Sequence, residues 1–162
     1  MSLKPVRPGE TLLEFDPADR AEVGLAFIGR IRSPWGLETC PKNIGRARET
    51  GQPARIELDP AYAEGLTGLS AGRHVIAVYW MHQGRRDLIV QRPGHVDGPR
   101  GTFALRSPMR PNNIAMSTVQ ITSIDGTTVH IDAIDCFDGT PLIDLHPWIS
   151  AVDVPPDWTP PE

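Results

Sequence analysis

The most regular alternation of apolar and polar residues lies in residues 117–135. Residues 118–122 and 128–133 each alternate with a period of two, and Asp125-Gly126 stands between them. In a β-strand, this period places apolar side chains on one face and polar side chains on the other. An Asp-Gly pair between two such runs is typical of a tight turn. The pattern therefore predicts an antiparallel hairpin with one face toward solvent.

Shorter apolar runs predict further strands, because each run ends at a proline, a glycine or a polar turn. These runs are residues 26–33, 54–58, 74–81, 88–91, 102–105 and 142–145. The run after His74 is continuously apolar, as expected for a central strand. Asp59-Pro60 is a favourable start for a helix of one or two turns, which Gly65 can end.

The segments between these elements are predicted to be irregular. Residues 35–52 form a long connection, for which a functional loop or disorder is the usual explanation. Residues 138–141 predict a turn, and the proline-rich residues after Trp148 predict an extended tail on the surface. Residues 1–23 show no sustained period and predict an arm with room for one short strand or turn.

Composition indicates the same fold class. The 162 residues include 17 prolines and 15 glycines, which are scattered along the chain. This favours short strands joined by many turns over long helices. We therefore predict an all-β domain, a mostly antiparallel small β-barrel with one or two short helices. Its parts are an N-terminal arm (residues 1–25), the barrel (26–152) and a proline-rich tail (153–162).

The sequence also bears on location and redox state. Apolar runs are all shorter than the ~20 residues that span a bilayer, and the N-terminus shows no signal-peptide hydrophobic region. We therefore expect a cytoplasmic protein. Cys40 and Cys136 are far apart in sequence and have no metal-ligand spacing, so we expect reduced thiols rather than a disulfide.

Charge is distributed unevenly along the chain. The net charge of -4 argues mildly against a nucleic-acid partner. However, residues 24–110 carry 13 basic and 7 acidic side chains, whereas residues 111–162 carry 8 acidic and no basic ones. The fold can thus present one positive face, or the two blocks can neutralise one another.

A proline-rich segment follows the run at residues 102–105. Pro108 and Pro111 each lack a backbone donor and restrict the residue before them, which predicts a stiff, kinked loop. The loop carries two arginines and two asparagines: Arg106, Arg110, Asn112 and Asn113. Such a set of donors suits an anionic or highly polar ligand. The alternative is a rigid crossover whose arginines face solvent or pair with nearby acids.

Other motifs narrow the chemistry. The sequence contains neither a glycine-rich dinucleotide fingerprint nor a phosphate-binding loop, and its five histidines have no paired spacing, so we predict no metal site. His82-Gln83 follows a buried strand, where it could contact a ligand or merely cap the strand. Asp135, Asp138 and Thr140 bracket a turn, where they could bind a sugar hydroxyl or a cation, or satisfy the turn's own donors.

These clusters, in this order, resemble the TsaA-like (YaeB-like, TrmO-type) family, whose characterised members methylate threonylcarbamoyladenosine in tRNA with S-adenosylmethionine. The resemblance covers residues 26–152. The matching segments are Ile28-Gly-Arg-Ile-Arg-Ser-Pro34, Trp80-Met-His-Gln83, Thr102-Phe-Ala-Leu-Arg-Ser-Pro108, Arg110-Pro-Asn112 and Asp138-Gly-Thr-Pro-Leu-Ile-Asp144. The resemblance implies a small barrel, usually dimeric, that binds S-adenosylmethionine without a Rossmann fold.

The resemblance also implies a set of site residues. Cofactor contacts are expected from the long loop, the strand end, the kinked segment and the turn: Asn43, Ile44, Gly45, His82, Gln83, Arg106, Met116, Asp135, Asp138, Gly139 and Thr140. Arg110 and Asn112 are expected to contact the substrate. No catalytic base is identified, and His82 is a candidate only by position.

The sequence departs from the family pattern at one place. The family reads Arg-Pro-Asn-Pro-Ile-Gly where this chain reads Arg110-Pro-Asn-Asn-Ile-Ala115. Asn113 restores a backbone donor and is expected to loosen the loop, and Ala115 disfavours the left-handed geometry open to glycine. The implied function is methylation of threonylcarbamoyladenosine in tRNA. The alternatives are a methyltransferase acting on a small molecule or another RNA, and a non-catalytic S-adenosylmethionine-binding module.

Overall fold

A computed structural model describes residues 5–159, so parts of the predicted arm (1–4) and tail (160–162) lie outside the described residues. The chain forms two compact units, which are described separately. The first unit contains residues up to Ala26 and the segment Trp80–Ala115, and the second contains Phe27–Tyr79 and the chain from Met116 onward.

Short strands dominate the described residues. The strands are β1 Thr11–Leu12, β2 Gly29–Arg32, β3 Ala54–Leu58, β4 His74–Trp80, β5 Leu88–Gln91, β6 Arg100–Gly101, β7 Ile114–Asp125, β8 Thr128–Ile131 and β9 Thr140–Pro147. The α-helices are α1 Ile44–Glu49 and α2 Ser150–Asp153, and 3-10 helices form at Pro17–Arg20, Pro60–Leu66 and Thr102–Ala104. None of these helices is long and apolar enough to cross a membrane.

Six of the strands form one closed sheet in the order β2-β3-β8-β7-β4-β9. β9 pairs with both β2 and β4, and these pairings are antiparallel. β7 and β8 form the predicted hairpin, in which Gly126 has a φ of 57° that only glycine adopts cheaply. The prediction of a mostly antiparallel all-β domain with few short helices is confirmed.

The interior of the closed sheet is apolar because buried residues alternate with less buried ones along several of its strands. Along β3 the residues at positions 54, 56 and 58 are buried, and Arg55 between them is exposed. Along the hairpin, Val119, Ile121, Val129 and Ile131 are each at most 1% exposed. Alternation with one buried face is what the sequence pattern predicted for this hairpin. Polar and charged side chains, such as Arg30 and Arg55, lie on the outer face of β2 and β3.

The first unit contains a three-stranded sheet in the order β1-β5-β6. Part of the predicted N-terminal arm is therefore structured, because β1 pairs with β5. The Glu10 carboxylate, only 2% exposed, fixes this arm. It accepts hydrogen bonds from the side chain of Arg7 and from the backbone N–H of Arg92, the residue after β5.

Three sequence predictions were wrong. Residues 102–105 form no strand but a 3-10 helix at Thr102–Ala104, in which Phe103 is 77% exposed. The Thr102 hydroxyl, which is buried, donates to the Leu88 carbonyl and so turns the chain after β6. Residues 35–52 contain helix α1, and the tail contains helix α2 instead of remaining extended throughout.

Candidate functional site

The end of β4 presents two of the predicted cofactor contacts in the first unit. Beyond β4 the chain turns sharply, because the backbone N–H of Gly84 donates to the Met81 carbonyl at 2.8 Å. The turn leaves the side chains of His82 and Gln83 exposed, with their Nε2 atoms 3.3 Å apart. Both side chains are thus accessible to a ligand, as a contact role requires.

This turn is attached to the kinked loop by Asn113. Asn113 is 1% exposed, and its Nδ2 donates to the carbonyls of Pro108 at 2.6 Å and Arg85 at 3.3 Å. The backbone carbonyl of Asn113 accepts from the backbone N–H of Met81 at 2.7 Å. The expectation that Asn113 loosens the loop is therefore wrong, because its side-chain amide connects the kinked loop at Pro108 to the turn at Arg85.

Gly84 is required by the same packing. A Cβ atom at this position would lie 2.7 Å from both Asn113 Nδ2 and the Pro108 carbonyl oxygen. Real Cβ contacts are never that short, so a larger residue would displace the loop from the turn. The close approach explains why a glycine follows His82-Gln83, a role that the sequence alone did not indicate.

The remaining predicted contacts of the first unit lie on the kinked loop. Arg106 is exposed on the segment after the 3-10 helix. Arg110 is half-buried, and its Nη1 donates to the Leu105 carbonyl at 3.1 Å. Asn112 is exposed, and its Oδ1 accepts from Arg86 at 3.4 Å. Arg110 is thus partly used by a contact within the loop, with a backbone carbonyl rather than with one of the acids that the rigid-crossover alternative named.

In the second unit, the turn that contains Asp138 is held against the chain that leaves β2. The backbone N–H of Ser33 donates to Asp138 Oδ1 at 3.2 Å, and Arg30 donates to the Gly139 carbonyl at 3.0 Å. Thr140 is buried, and its hydroxyl donates to the Phe137 carbonyl at 2.7 Å. Gly139 has a φ of 76°, which allows the reversal. Thr140 thus closes the turn, whereas Asp138 accepts from Ser33, which lies outside the turn.

Asp135 has a different environment. Its Oδ1 accepts hydrogen bonds from the hydroxyls of Ser117 at 2.9 Å and Tyr79 at 3.2 Å, and these two hydroxyls lie 2.9 Å apart. Burial, and then the nearby Asp135 charge, raise the pKa of Tyr79, so its hydroxyl stays protonated and donates. A half-buried carboxylate oriented in this way suits a cationic group of a ligand.

The start of the long loop lies close to the same carboxylate. The indole N–H of Trp35 donates to the Ile134 carbonyl at 2.7 Å, which attaches the loop beside Asp135. Burial and the Asp135 charge raise the pKa of the Cys40 thiol to about 11. Cys40 and Cys136 are both free thiols, as the sequence predicted.

Asn43, Ile44 and Gly45 form the start of helix α1. The Asn43 side chain caps this helix by accepting from the Arg46 N–H at 2.9 Å, and a Cβ atom at Gly45 would lie 3.2 Å from the same oxygen. Met116 lies in β7 and is 49% exposed. An asparagine followed by Ile-Gly-Arg-Ala-Arg-Glu is an N-cap signal that the sequence reading did not use.

Sequence reasoning also missed Tyr79, Ser117 and the structural role of Asn113. Tyr79 and Ser117 occupy buried positions on β4 and β7, where their hydroxyls meet only after the sheet has closed. Tyr79 lies in an apolar run and Ser117 lies at the start of the predicted hairpin, and neither residue belongs to a local polar motif. The chain therefore offered no signal for them beyond the strand pattern.

The family model of the tRNA-methyltransferase O N-terminal domain matches residues 30–154. The chain belongs to this family. The match begins within β2 and ends just after α2, so the closed sheet lies within it almost entirely. The predicted contact residues of each unit, considered separately, fall inside the matched range.

Curated relatives of this family member carry names that refer to one ligand. A probable S-adenosyl-L-methionine-binding protein, VirR of Rhizobium radiobacter, is 33% identical over 129 residues, which cover 80% of this chain and 73% of the relative. A probable S-adenosyl-L-methionine-binding protein of Archaeoglobus fulgidus is 34% identical over 135 residues, 81% of this chain but 35% of the relative.

Solved structures titled TrmO share the fold. One is 28% identical with a TM-score of 0.69, and the match covers 86% of this chain and 64% of the other. TrmO from Pseudomonas aeruginosa is 26% identical with a TM-score of 0.65, covering 86% of this chain and 62% of the other. The chain thus spans less than two thirds of these TrmO structures.

Proposed function

We propose that the chain is an S-adenosylmethionine-dependent methyltransferase that methylates N6 of threonylcarbamoyladenosine in tRNA. The observation that carries this proposal is the family match over residues 30–154. The names of the curated relatives support the cofactor, and the structural similarity to TrmO supports the chemistry. We further infer that the closed sheet is the small barrel implied by the resemblance.

The side chains present fit the cofactor chemically. S-adenosylmethionine carries a sulfonium, an ammonium and a carboxylate, so it needs both a carboxylate and a cationic donor from the protein. Asp135 supplies a half-buried carboxylate whose Oδ1 is fixed by two hydroxyls. Arg106 supplies an exposed guanidinium, which can pair with a carboxylate through charge-assisted hydrogen bonds.

The bound cofactor would supply an electrophilic methyl group for in-line displacement by the substrate nitrogen. The chain's own contribution is then mainly alignment and exclusion of water. Tyr79 and Ser117 would hold the Asp135 carboxylate, and His82 with Gln83 would contact the adenine or ribose. The carbonyl on the substrate N6 makes this nitrogen a poor nucleophile, so removal of its proton would assist attack. His82 is exposed and could accept that proton.

Methyl transfer to tRNA tests the proposal. The protein and S-adenosylmethionine are incubated with tRNA that contains threonylcarbamoyladenosine, and with the same tRNA lacking that modification. Nucleosides are then analysed by mass spectrometry. We expect one methyl group on the modified nucleoside only. Methylation of a small molecule or another RNA would support the first alternative, and binding without turnover would support a non-catalytic module.

We also propose a homodimer, because the family resemblance implies one. Light scattering in solution would give twice the mass of the chain. A mass equal to one chain would contradict this part of the proposal without affecting cofactor binding.

A further inference from the structure

A row of basic side chains crosses the outer face of the closed sheet. Arg32 on β2 is the register partner of Arg55 on β3, and Arg55 is the partner of His130 on β8. Directly opposed residues of antiparallel strands point to the same face, with Cβ atoms about 5 Å apart. We name Arg32, Arg55 and His130 the basic row. Like charges placed opposite one another destabilise a sheet, so this arrangement costs stability.

The carboxylate of Glu57 neutralises part of the positive charge of the row. Glu57 accepts from Arg32 Nε at 2.8 Å through Oε2 and from Arg55 Nε at 2.9 Å through Oε1. These bonds lower the pKa of Glu57, and the hydrogen bond from Arg32 is the largest cause. A single carboxylate is therefore shared between two guanidinium groups. The second acid nearby, Asp138, lies 3.7 Å from Arg32 Nη1 and is 54% exposed.

The guanidinium groups retain donors for a ligand. The side chains of Arg32 and Arg55 are 38% and 49% exposed. Both use Nε for Glu57, and among the described residues no protein acceptor is hydrogen-bonded to the Nη groups of Arg55. A guanidinium whose Nη groups face solvent can still donate to a phosphate oxygen.

The row borders an open depression in the surface. An open cavity of about 560 Å³ is lined by all three members of the row together with Ser33, Glu57 and Asp138. A second depression of about 340 Å³ shares Glu57 and adds Arg30 and Phe27, an aromatic side chain that is 46% exposed. Guanidinium groups beside an exposed aromatic ring are the combination that tracks an RNA backbone and stacks a base.

We propose that the basic row binds backbone phosphates of the substrate RNA. The inference rests on the proposed function, since it assigns a surface that would hold part of the RNA beside Asp138, one of the expected cofactor contacts. It also gives a physical reason for placing two arginines opposite each other. The basic middle of the chain contributes a positive face here, although Glu57 and Asp138 neutralise part of it.

The test measures tRNA binding across a range of salt concentrations. Each phosphate contact contributes about 0.7 to the slope of log affinity against log salt for single strands, which corresponds to about fivefold in affinity at ~0.1 M salt. We expect Arg55→Gln to lower the slope and affinity by these amounts, and Arg32→Gln with Arg55→Gln to lower affinity about 25-fold. Arg55→Lys should retain most of the slope, because it keeps the charge.

The matched control is Arg46→Gln. Arg46 is 69% exposed on α1 and pairs with Glu49, so its loss should leave RNA binding unchanged. The melting temperatures of all variants are compared. We expect Arg55→Gln to have the melting temperature of wild type, because the substitution removes the repulsion between Arg55 and Arg32 together with the bond to Glu57. If Arg55→Gln matches the control in slope and affinity, the inference is overturned.

Calorimetry with S-adenosylmethionine separates this failure from that of the proposed function. If wild type binds the cofactor and methylates tRNA while the row variants behave like the control, only the phosphate role fails. If wild type binds the cofactor but no tRNA, the phosphate role and the tRNA substrate fail together. If wild type binds neither the cofactor nor tRNA, both the proposed function and the phosphate role are overturned.

Discussion

Replacement of Asn113 by alanine should destabilise the turn that carries His82. The Asn113 side chain is 1% exposed, and its Nδ2 donates at 2.6 Å to Pro108 and at 3.3 Å to Arg85. Alanine removes both donors and leaves the two carbonyls without this partner. Asn113→Asp keeps the side-chain volume but places an acceptor where the donor was, so it separates hydrogen bonding from packing.

The expected magnitude follows from these contacts. A neutral hydrogen bond contributes a net ~1 kcal/mol, and a buried polar group left without a partner costs about 1–3 kcal/mol. The longer bond to Arg85 is the weaker of the two. The free energy of unfolding should therefore fall by about 2–4 kcal/mol. In a chain of this length, that corresponds to a drop of roughly 5–15 °C in melting temperature.

Thermal unfolding and amide hydrogen exchange measure the effect. The matched control is Asn112→Ala, since Asn112 is the neighbouring asparagine, is exposed, and its side chain accepts from Arg86 at a long 3.4 Å. Its replacement should change stability by less than about 0.5 kcal/mol. Faster exchange in residues 81–86 is expected for Asn113→Ala alone. If the two variants unfold alike, Asn113 does not hold the loop as described.

Three further predictions concern single groups. Gly84→Ala should destabilise the chain and lower its melting temperature, because the added Cβ would lie 2.7 Å from Asn113 Nδ2; a stable variant would show that the loop can shift without cost. Burial alone would raise the pKa of Glu10, but hydrogen bonds from Arg7 and Arg92 outweigh it and lower the pKa to about 2. In urea unfolding, wild type should therefore exceed Glu10→Gln in stability above about pH 4.5, with the difference lost as pH falls toward 2; a constant difference would contradict this. Because burial and the Asp135 charge raise the Cys40 pKa to about 11, iodoacetamide at about pH 8 should alkylate Cys40 far more slowly in folded than in unfolded protein. Asp135→Asn should accelerate alkylation of the folded protein, and a rate equal to that of wild type would refute the contribution of the Asp135 charge.

The sequence pattern predicted the elements that depend on alternation. Strands β3 and β5 have the predicted bounds, and the hairpin forms where period two flanks Asp125-Gly126. These elements are set by side chains that meet one core, so a local pattern carries the information. The run at residues 102–105 could not be predicted in this way, because its conformation depends on hydrogen bonds of the buried Thr102 hydroxyl and not on an apolar face.

The candidate site was less accessible to sequence reasoning. The resemblance supplied His82, Arg106 and Asp135, but it did not supply what holds them. Asn113 donates to the Arg85 carbonyl and Tyr79 to Asp135, partners that are distant in sequence and are brought close only by the fold. Sequence alone therefore indicated candidate contact residues more readily than it indicated the residues that support them.

Calorimetric titration with S-adenosylmethionine tests the central claim most directly. We expect wild type to bind one cofactor per chain, and Arg106→Ala to bind at least about tenfold more weakly, since a charge-assisted pair contributes about 1.5–3 kcal/mol. Arg100→Ala, which removes another exposed arginine of the same unit, should bind like wild type. Absence of any heat of binding with folded wild type would contradict the account.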